Sequence, residues 1–383
     1  MKIALFIPVL GFGGAEKVMI TLANGLAQRG HSIDLILVQK KGELLQEVSS
    51  DVNVIDLKSK KTFFSLVPLI RYLRRQKPEF LISALDNANI ISSLAMTFSF
   101  SKTRHIPTLH TNLMRSYKKT RKFVQKINPF LLKAAFRRAN KIVAVSKGTA
   151  AASAQFLGIP ETKIEVIYNP VLDPSIKKKA EVNLNHPWLA DRKVPVVLAV
   201  GRLFEAKDYP TLLKGFAAVL KHTPAKLIIA GDGKESIRKE LKDLAKELQI
   251  DSEVDFIGFS ENPYSYIKHA DVFVLASKWE GFGNVLAEAL YLGTAVVSSD
   301  CESGPREILK NGDFGLLFPV GDADKLSEAL LQQLSEPMKI DKEHLEHHLL
   351  AMSKDFSVDH YEKVLKRESG EKSHESFSDY PHS

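Results

Sequence analysis

Short apolar runs alternate with longer amphipathic segments along the whole chain. This alternation predicts strands joined by helices, the βα order that builds parallel sheets. In the first half the predicted strands are K-I-A-L-F-I-P, S-I-D-L-I-L-V, F-L-I-S-A-L and K-I-V-A-V-S. In the second half they are V-P-V-V-L-A-V, A-K-L-I-I-A, V-D-F-I-G-F, D-V-F-V-L-A-S and T-A-V-V-S-S. We therefore predict an α/β protein with two doubly wound, parallel-sheet domains.

The boundary between the two domains is predicted where the periodic pattern is interrupted. Between Val145 and Val194 the segments Y-N-P-V, K-K-K and L-N-H-P-W carry turn and charge signals. We place the boundary near residue 175, so that the domains cover residues 1–175 and 176–367, and leave open whether the last helix crosses back to the first domain. Residues 368–383 are polar and lack periodicity, which predicts a disordered tail.

Length and composition limit the classes of protein. The 383 residues, 44% of them apolar, are enough for two hydrophobic cores. Cys301 is the only cysteine, which excludes disulfides within the chain and indicates a reducing compartment, the cytoplasm. No run approaches about 18 apolar residues, so no membrane-spanning helix is predicted. The opening M-K-I-A-L-F-I-P is interpreted as a buried strand rather than a signal peptide.

The net charge of +8 is distributed unevenly. Residues 1–185 carry +17 and the remainder −9, and no Asp or Glu occurs between Asp86 and Glu161. Residues 102–147 alone contain 13 Lys and Arg. We expect this acid-free segment to face an anionic partner.

Apolar and aromatic side chains are interleaved with the cations of residues 115–141. The pattern favours an anionic membrane surface, although nucleic acid would also accept the charge and a helix packed on its own domain has the same pattern. Because no DNA- or RNA-binding motif is present, we expect the membrane and not nucleic acid. The predicted membrane or acceptor surface consists of Lys118, Lys119, Arg121, Lys122, Lys126, Arg137 and Arg138.

Three loops that follow predicted strands can bind anions. Gly13 and Gly14 open a helix after the first strand, where free N–H groups suit a phosphate, but Glu16 replaces the last glycine of a dinucleotide fingerprint and a simple turn remains the alternative. Arg202 and Lys207 follow a strand of the second half and together suit a pyrophosphate.

The third loop lies in W-E-G-F-G-N-V-L-A-E, residues 279–288. We predict a tight turn at the start of a helix, formed by Gly281, Phe282, Gly283 and Asn284. The N–H groups of this helix start can hold another phosphate oxygen. Glu280 precedes the turn and Glu288 lies on the helix, at the edge of an apolar face. The two carboxylates are therefore not predicted to lie side by side.

His110, in P-T-L-H-T-N, follows a short predicted strand. A single histidine is more often structural than catalytic. The spacing of His, Cys, Asp and Glu does not suit a metal site, so no metal and no cofactor is expected.

The ordered motifs closely resemble those of retaining glycosyltransferases of family 4, whose two facing Rossmann-like domains form the GT-B fold with a cleft between them. The resemblance covers residues 1–335. Within the family, the sequence looks most like bacterial enzymes that transfer hexoses or N-acetylhexosamines to cell-surface glycans. The motifs that carry it are G-F-G-G-A-E-K, V-S-K, Y-N-P-V, V-G-R-L-F-E-A-K-D-Y, A-G-D-G, I-G-F, A-D-V-F-V-L-A-S, E-G-F-G-N-V-L-A-E-A-L, S-G-P-R-E-I-L and G-L-L-F-P-V-G-D.

The resemblance implies a role for each candidate residue. Glu280 would face the transferred sugar, and Glu288 would bind the ribose of the donor. Arg202 and Lys207 would neutralise the pyrophosphate, on which Gly13 and Gly14 would close. His110 would line the side of the cleft that holds the donor sugar and the acceptor.

The implied activity is metal-independent transfer from a nucleotide sugar, UDP-linked by preference, with retention of configuration. Combined with the basic first domain, this predicts a lipid-linked or lipopolysaccharide-type glycan acceptor and a peripheral location on the cytoplasmic face of the membrane. The alternatives are a sugar-nucleotide epimerase of similar architecture and, outside enzymes, a nucleic-acid-binding protein.

Overall fold

A computed structural model describes residues 1–114, 123–184 and 186–370, with the side chains of residues 123–128 omitted. Four residues of the predicted membrane surface, Lys118, Lys119, Arg121 and Lys122, therefore lie outside the described residues, as do the side chain of Lys126 and residues 371–383 of the predicted tail. In the part of the chain that is described, no helix has both the length and the apolar character needed to cross a bilayer.

The chain forms two compact units. The first comprises Met1–Pro170 together with the described residues from Ala351 onward, and the second comprises Val171–Leu350.

The first unit contains a seven-stranded sheet in the order β3-β2-β1-β4-β5-β6-β7, with every neighbouring pair parallel. Its strands are β1 (Lys2–Ile7), β2 (Ser32–Leu37), β3 (Val52–Asp56), β4 (Phe80–Ala84), β5 (Arg104–Leu109), β6 (Ile142–Ala144) and β7 (Ile164–Val166). Its helices are α1 (Gly14–Gln28), α2 (Leu66–Gln76), α3 (Asp86–Ser99), α4 (Phe123–Arg138), α5 (Lys147–Leu157) and, at the far end of the chain, α15 (Lys354–Ser369).

The second unit contains a six-stranded parallel sheet in the order β10-β9-β8-β11-β12-β13. Its strands are β8 (Val196–Val200), β9 (Lys226–Ala230), β10 (Val254–Gly258), β11 (Val272–Leu275), β12 (Ala295–Ser299) and β13 (Leu316–Phe318). Its helices are α6 (Pro174–Ala180), α7 (Pro187–Ala190), α8 (Tyr209–Val219), α9 (Glu235–Glu247), α10 (Pro263–His269), α11 (Asn284–Tyr291), α12 (Pro305–Ile308), α13 (Ala323–Ser335) and α14 (Lys342–Leu350).

The central strand β1 shows why the apolar runs of the sequence are continuous rather than alternating. All residues from Ile3 to Ile7 are buried, because helices cover both faces of the sheet. Ile3, Leu5 and Ile7 pack into the core beneath α1, whereas Ala4 and Phe6 pack into the core beneath α2 and α3. The two-residue period of a strand thus divides one apolar run between two cores.

The prediction of two doubly wound parallel sheets is confirmed, and all nine strands named from the apolar pattern form. Of the other four described strands, β5 is the short strand predicted before His110, and the apolar pattern missed β3, β7 and β13, which lie at the edges of the two sheets. Each of these strands is short or contains polar residues, as in V-N-V-I-D and I-E-V, since an edge strand is covered less completely than a central one.

The C-terminal helix α15 packs on α1 of the first unit. Gly25 of α1 permits this close approach, since a Cβ atom at this position would lie 2.6 Å from a methyl group of Val358. Arg29 adds ion pairs to Glu362 at 2.9 Å and Asp359 at 3.2 Å. Burial raises the pKa of Glu362, but hydrogen bonds from Lys366 and Arg29 outweigh it and lower the pKa from 4.5 to about 2.

This pKa shift predicts a pH-dependent contribution of Glu362 to stability. Because the folded-state pKa is the lower one, the contribution is complete above about pH 4.5 and is lost as the pH falls toward about 2. Glu362→Gln should lower the free energy of unfolding by about 1 kcal/mol at neutral pH and by much less at acidic pH. Urea unfolding followed by circular dichroism measures this difference, with exposed Glu240→Gln as control. An equal deficit at both pH values would contradict the assignment.

Candidate active site

The sequence-predicted residues of the second unit lie at the centre of its sheet. Strand order reverses between β8 and β11, which are neighbours in the sheet although β9 and β10 lie between them along the chain. The loop after β8 carries Arg202 and Lys207, and the loop after β11 carries Glu280. Carboxyl ends of parallel strands meet at one edge, and the point of reversal is where open α/β sheets bind ligands.

The two loops are joined by an ion pair. Lys207 Nζ lies 2.6 Å from Glu280 Oε1, and both side chains are largely buried, with 17% and 13% of their surface exposed. The hydroxyl of Ser277 also donates to Glu280 Oε1, at 2.6 Å. The sequence predicted Lys207 and Glu280 as separate binding groups, and the structure brings them into direct contact.

A second ion pair joins the same two loops. Asp208 is buried, and its carboxylate accepts from Lys278 at 3.2 Å and from the hydroxyl of Thr211 at 2.8 Å. The backbone N–H of Lys278 donates to the carbonyl of Ala206 at 2.7 Å. These contacts connect the residues that flank Lys207 and Glu280, so they fix the register of the two loops.

The backbone of Asp208 also marks this loop as special. Asp208 has φ +46° and lies directly before α8, in the left-handed region that costs a non-glycine residue roughly 1 kcal/mol. Aspartate tolerates this conformation better than most residues, and its buried carboxylate contacts offset the cost. Sequence analysis missed Asp208, Thr211 and Lys278 as positioning residues, because only the left-handed turn and the three-dimensional pairing reveal them.

The loop before α11 is packed closely against the following βα loop. Gly283 precedes the helix with φ +102°, and the buried ring of Phe282 anchors the turn. Gly304 has φ +88°, and a Cβ atom there would lie 1.7 Å from the carbonyl of Phe282, so only glycine fits. The helix begins at Asn284 as predicted, with backbone N–H groups at its first turn.

Glu288 is a buried carboxylate, not a group on an open helix surface. Only 4% of the residue is exposed, and the hydroxyl of Tyr264 donates to its Oε1 at 3.3 Å. Glu280 lies on the loop and Glu288 lies about one turn into α11, in contact with different side chains. The expectation that the two carboxylates do not form a side-by-side pair therefore agrees with their separate contacts.

Arg202 occupies a different environment from Lys207. It is exposed, and its guanidinium carbon lies 5.4 Å from the centroid of the Phe204 ring, a cation–π geometry. The structure therefore places Arg202 on the same loop as Lys207 but outside the Lys207–Glu280 ion pair.

Two neighbouring groups remain neutral near Glu280. Burial and the negative charge of Glu280 raise the pKa of the Cys301 thiol to about 12, and the same two causes raise the pKa of Tyr209. Tyr209 donates its hydroxyl to the carbonyl of Gly201 at 2.7 Å, which ties α8 to the end of β8. Cys301 is therefore a protonated thiol and not a nucleophile.

In the first unit, Gly13 and Gly14 lie where the sequence predicted, at the start of α1 after β1. Gly13 is the N-cap of this 15-residue helix. Because glycine has no side chain, no N-cap side chain accepts a hydrogen bond from the first backbone N–H groups. The N–H groups at the start of a helix and the helix dipole favour anions, and the carboxylate of Glu16 already lies beside Gly13 at this helix start.

His110 follows β5 and is partly buried. Burial lowers its pKa to about 4, so the ring is neutral at physiological pH. Thr108 donates its single hydroxyl hydrogen to the carbonyl of Ser83 at 2.9 Å, and the same oxygen lies 2.9 Å from His110 Nε2. His110 Nε2 must therefore carry the hydrogen, which leaves Nδ1 as an acceptor.

Of the predicted membrane surface, Arg137 and Arg138 can be assigned. Both lie exposed in the last turn of α4. In the described ranges, no three His, Cys, Asp or Glu side chains lie close enough to hold a metal ion.

Comparisons with known proteins identify the family and support the fold. Residues 12–172 match the family model Glycosyltransferase Family 4, and residues 183–347 match Glycosyl transferases group 1. The second match contains the Lys207–Glu280 ion pair.

Two relatives and one solved structure show how far the likeness extends. The chain is 32% identical over 343 residues to N-acetylgalactosamine-N,N'-diacetylbacillosaminyl-diphospho-undecaprenol 4-alpha-N-acetylgalactosaminyltransferase of Campylobacter jejuni, covering 88% of this chain and 90% of the relative. It is 29% identical to a lipopolysaccharide core biosynthesis glycosyltransferase of Rhizobium meliloti, covering 85% and 86%. Sucrose-phosphate synthase of Thermosynechococcus elongatus superposes with a TM-score of 0.80 at 19% identity, covering 97% of this chain and 100% of the other.

The fold and the family matches together define a glycosyltransferase with the GT-B fold. The chain belongs to glycosyltransferase family 4, as its motifs predicted.

The buried contacts of Asp208 predict that this residue stabilises the fold more than an exposed ion pair does. Asp208→Asn keeps the shape of the side chain but leaves Lys278 without its charge partner, so we expect a loss of about 1–2 kcal/mol in the free energy of unfolding. Trp279, between Lys278 and Glu280, can report the transition by fluorescence during urea unfolding. The control is Asp243→Asn, which removes an exposed pair with Lys239 and should change stability by less than about 0.5 kcal/mol. Equal effects of the two variants would refute the positioning role.

Proposed function

We propose that this glycosyltransferase moves a hexose or N-acetylhexosamine from a UDP-linked nucleotide sugar to a lipid-linked or lipopolysaccharide-type glycan. The proposed reaction retains anomeric configuration, needs no metal, and takes place at the cytoplasmic face of the membrane. The observation that carries the proposal is the Lys207–Glu280 ion pair at the point where strand order reverses in the second sheet.

Lys207 and Arg202 are the proposed ligands of the pyrophosphate. Lys207 supplies a point charge that is already held in place, and exposed Arg202 can make forked contacts to phosphate oxygens. Negative charge grows on the departing nucleoside diphosphate, so positioned cations stabilise the transition state more than the ground state. The first N–H groups of α11, beyond Gly283, would add neutral donors.

In the proposed chemical step, the bond between the anomeric carbon and the phosphate oxygen breaks while the acceptor hydroxyl bonds to the same carbon. Attack on the face of the leaving group retains the configuration. The proton of the acceptor hydroxyl passes to the departing phosphate oxygen, so no carboxylate base is needed. Glu280, fixed by Lys207 and Ser277, would face the sugar, and buried Glu288 would accept from the ribose hydroxyls.

In the first unit, Gly13 and Gly14 remain proposed donor-binding residues, and His110 remains a proposed sugar or acceptor contact. The neutral ring of His110, with Nδ1 as acceptor, suits a hydrogen bond from a sugar hydroxyl.

The acceptor class is supported by the names of the relatives. The Campylobacter jejuni enzyme is named for transfer of N-acetylgalactosamine to a diphospho-undecaprenol glycan, and the Rhizobium meliloti enzyme for lipopolysaccharide core biosynthesis. Both acceptors combine a glycan with a lipid.

The direct test incubates the purified chain with UDP- and GDP-sugars and bacterial lipid extracts, with and without EDTA. We expect transfer of one UDP-sugar to a lipid-linked glycan at a rate that EDTA leaves unchanged, and a product whose anomeric configuration matches the donor. Conversion of the free sugar nucleotide to an epimer without acceptor would indicate an epimerase instead. Loss of transfer with EDTA, restored by a divalent metal, would contradict the metal-independent step.

The pyrophosphate assignment predicts the affinity for UDP alone. Lys207→Met and Arg202→Gln should each weaken UDP binding by about tenfold, as expected when one charge-assisted contact is lost. Isothermal titration calorimetry measures both, and Lys214→Met, which alters an exposed lysine of α8, is the matched control. Unchanged UDP affinity in both site variants would refute the assignment.

A further inference from the structure

A buried chain of polar side chains lies beside His110 in the first unit. At most 4% of each of its four members is exposed, and they are Ser83 on β4, Asn89 on α3, and His105 and Thr108 on β5. Polar groups withdrawn from water are costly unless each finds a partner. The direction of each hydrogen bond in this chain decides what the chain does for His110.

Two backbone carbonyls set these directions, because a carbonyl oxygen can only accept. The amide nitrogen of Asn89 donates to the carbonyl of Thr108 at 3.0 Å. The amide oxygen of Asn89 is therefore the atom that faces Ser83, whose hydroxyl donates to it at 2.6 Å. The second carbonyl, that of Ser83, accepts from the hydroxyl of Thr108 at 2.9 Å.

Both hydroxyl hydrogens are used in these bonds, so each histidine beside a hydroxyl must donate to it. His105 Nε2 lies 2.8 Å from the hydroxyl oxygen of Ser83, and His110 Nε2 lies 2.9 Å from that of Thr108. Burial lowers the pKa of His105 to about 3 and that of His110 to about 4, so each neutral ring carries one hydrogen. That hydrogen lies on Nε2 in both rings, and Nδ1 is left as an acceptor.

Reversing one of these hydrogen bonds would break others. If the Thr108 hydroxyl donated to His110, the carbonyl of Ser83 would lose that hydroxyl as a partner. The ring of His110 would also have to move its hydrogen from Nε2 to Nδ1. Losing a partner costs more in a buried network than at the surface, because water does not replace it. The chain therefore favours a single tautomer of His110.

The backbone between Ser83 and Asn89 gives independent support. Leu85, which joins β4 to α3, has φ +76° and ψ 141°, an outlier for a bulky residue. Such residues persist only where the surrounding contacts hold them, and they are concentrated at functional sites. The turn at Leu85 places Asn89 within hydrogen-bonding distance of both Ser83 on β4 and Thr108 on the neighbouring strand β5.

We propose that Thr108 is a positioning residue for His110, and that Asn89 and Ser83 hold Thr108 in turn. Thr108 accepts the Nε2 hydrogen of His110, so that Nδ1 can accept a hydrogen bond from a hydroxyl group of the sugar or acceptor. This use of Nδ1 rests on the proposed function. The tautomer itself is a property of the enzyme without substrate, so it can be tested whether or not transfer is found.

The experiment is ¹⁵N NMR of the full chain, labelled at its 12 histidines. The nitrogen shift distinguishes a ring nitrogen that carries hydrogen from one that does not, and the signal lost in His110→Gln identifies the residue. We expect the Nε2–H tautomer in the wild type and in Thr108→Ser, which keeps the hydroxyl. In Thr108→Val we expect a measurable Nδ1–H fraction and exchange of the Nε2 hydrogen with solvent at least about tenfold faster, because one hydrogen bond is lost.

Thr103→Val is the matched control. Thr103 directly precedes β5, is also buried, and donates its hydroxyl to the carbonyl of Pro78 at 2.6 Å. Its loss should lower the thermal midpoint about as much as the loss of the Thr108 hydroxyl, but should leave the tautomer of His110 unchanged.

The same variants test the use of Nδ1 in the reaction. Thr108→Val should lower kcat/KM for transfer from the nucleotide sugar by about tenfold, as expected when one hydrogen bond is lost, while UDP alone binds as to the wild type. Thr108→Ser should restore most of this loss. Wild-type kcat/KM in Thr108→Val would contradict the use of Nδ1.

The proposed role of Thr108 would be overturned by any of three NMR results. One is a wild-type His110 that carries its hydrogen on Nδ1, and another is a tautomer and exchange rate that Thr108→Val leaves unchanged. The third is an equal change in Thr103→Val, because the effect would then follow from a general loss of stability. If the wild type transfers no sugar, the proposed function fails, and the NMR result still decides whether Thr108 positions His110.

Discussion

The ion pair between Lys207 and Glu280 is the contact on which the proposed chemistry depends. It joins two loops that lie 73 residues apart in the chain and meet because β8 and β11 are neighbours in the sheet. Both side chains are mostly withdrawn from water, where an unpaired charge would be costly. Each charge therefore holds the other in a fixed position, and Ser277 fixes the carboxylate further. A cation that is already positioned stabilises a departing diphosphate without reorganising at the moment of reaction.

Neighbouring contacts explain how the two loops can be rigid enough to hold Lys207 and Glu280 in position. Asp208 binds Lys278 and Thr211, and Tyr209 binds the end of β8. On the other side, Gly304 lets the next loop approach the backbone of Phe282. The residues that face the proposed ligand are thus supported by others that never touch it, which is the usual requirement for a preorganised site.

The sequence predicted the central strands because helices bury both of their faces, so that these strands consist of continuous apolar runs. It could not predict the edge strands β3, β7 and β13, whose partial exposure admits polar residues. It also found Lys207 and Glu280, because both follow strands that end at the same edge. It could not pair them, since periodicity does not give the order of strands in a sheet.

Two other features were beyond sequence pattern for similar reasons. Glu288 accepts a hydrogen bond from Tyr264, which lies on a preceding helix that only the fold brings near. The exposed phenylalanines of the first unit lie in the turn before α2 and at the end of α3, so no single segment shows the combination of cations and aromatics that residues 115–141 do. Exposure, unlike hydrophobicity, cannot be read from one segment alone.

The central claim is that Glu280 acts at the sugar while Lys207 acts at the diphosphate. The most direct measurement compares turnover with UDP affinity in Glu280→Ala. The account predicts that turnover falls by about a hundredfold or more, whereas UDP binds as tightly as to the wild type or more tightly, because Lys207 is released from its partner. Turnover near the wild-type level would contradict the placement of Glu280 at the reacting centre.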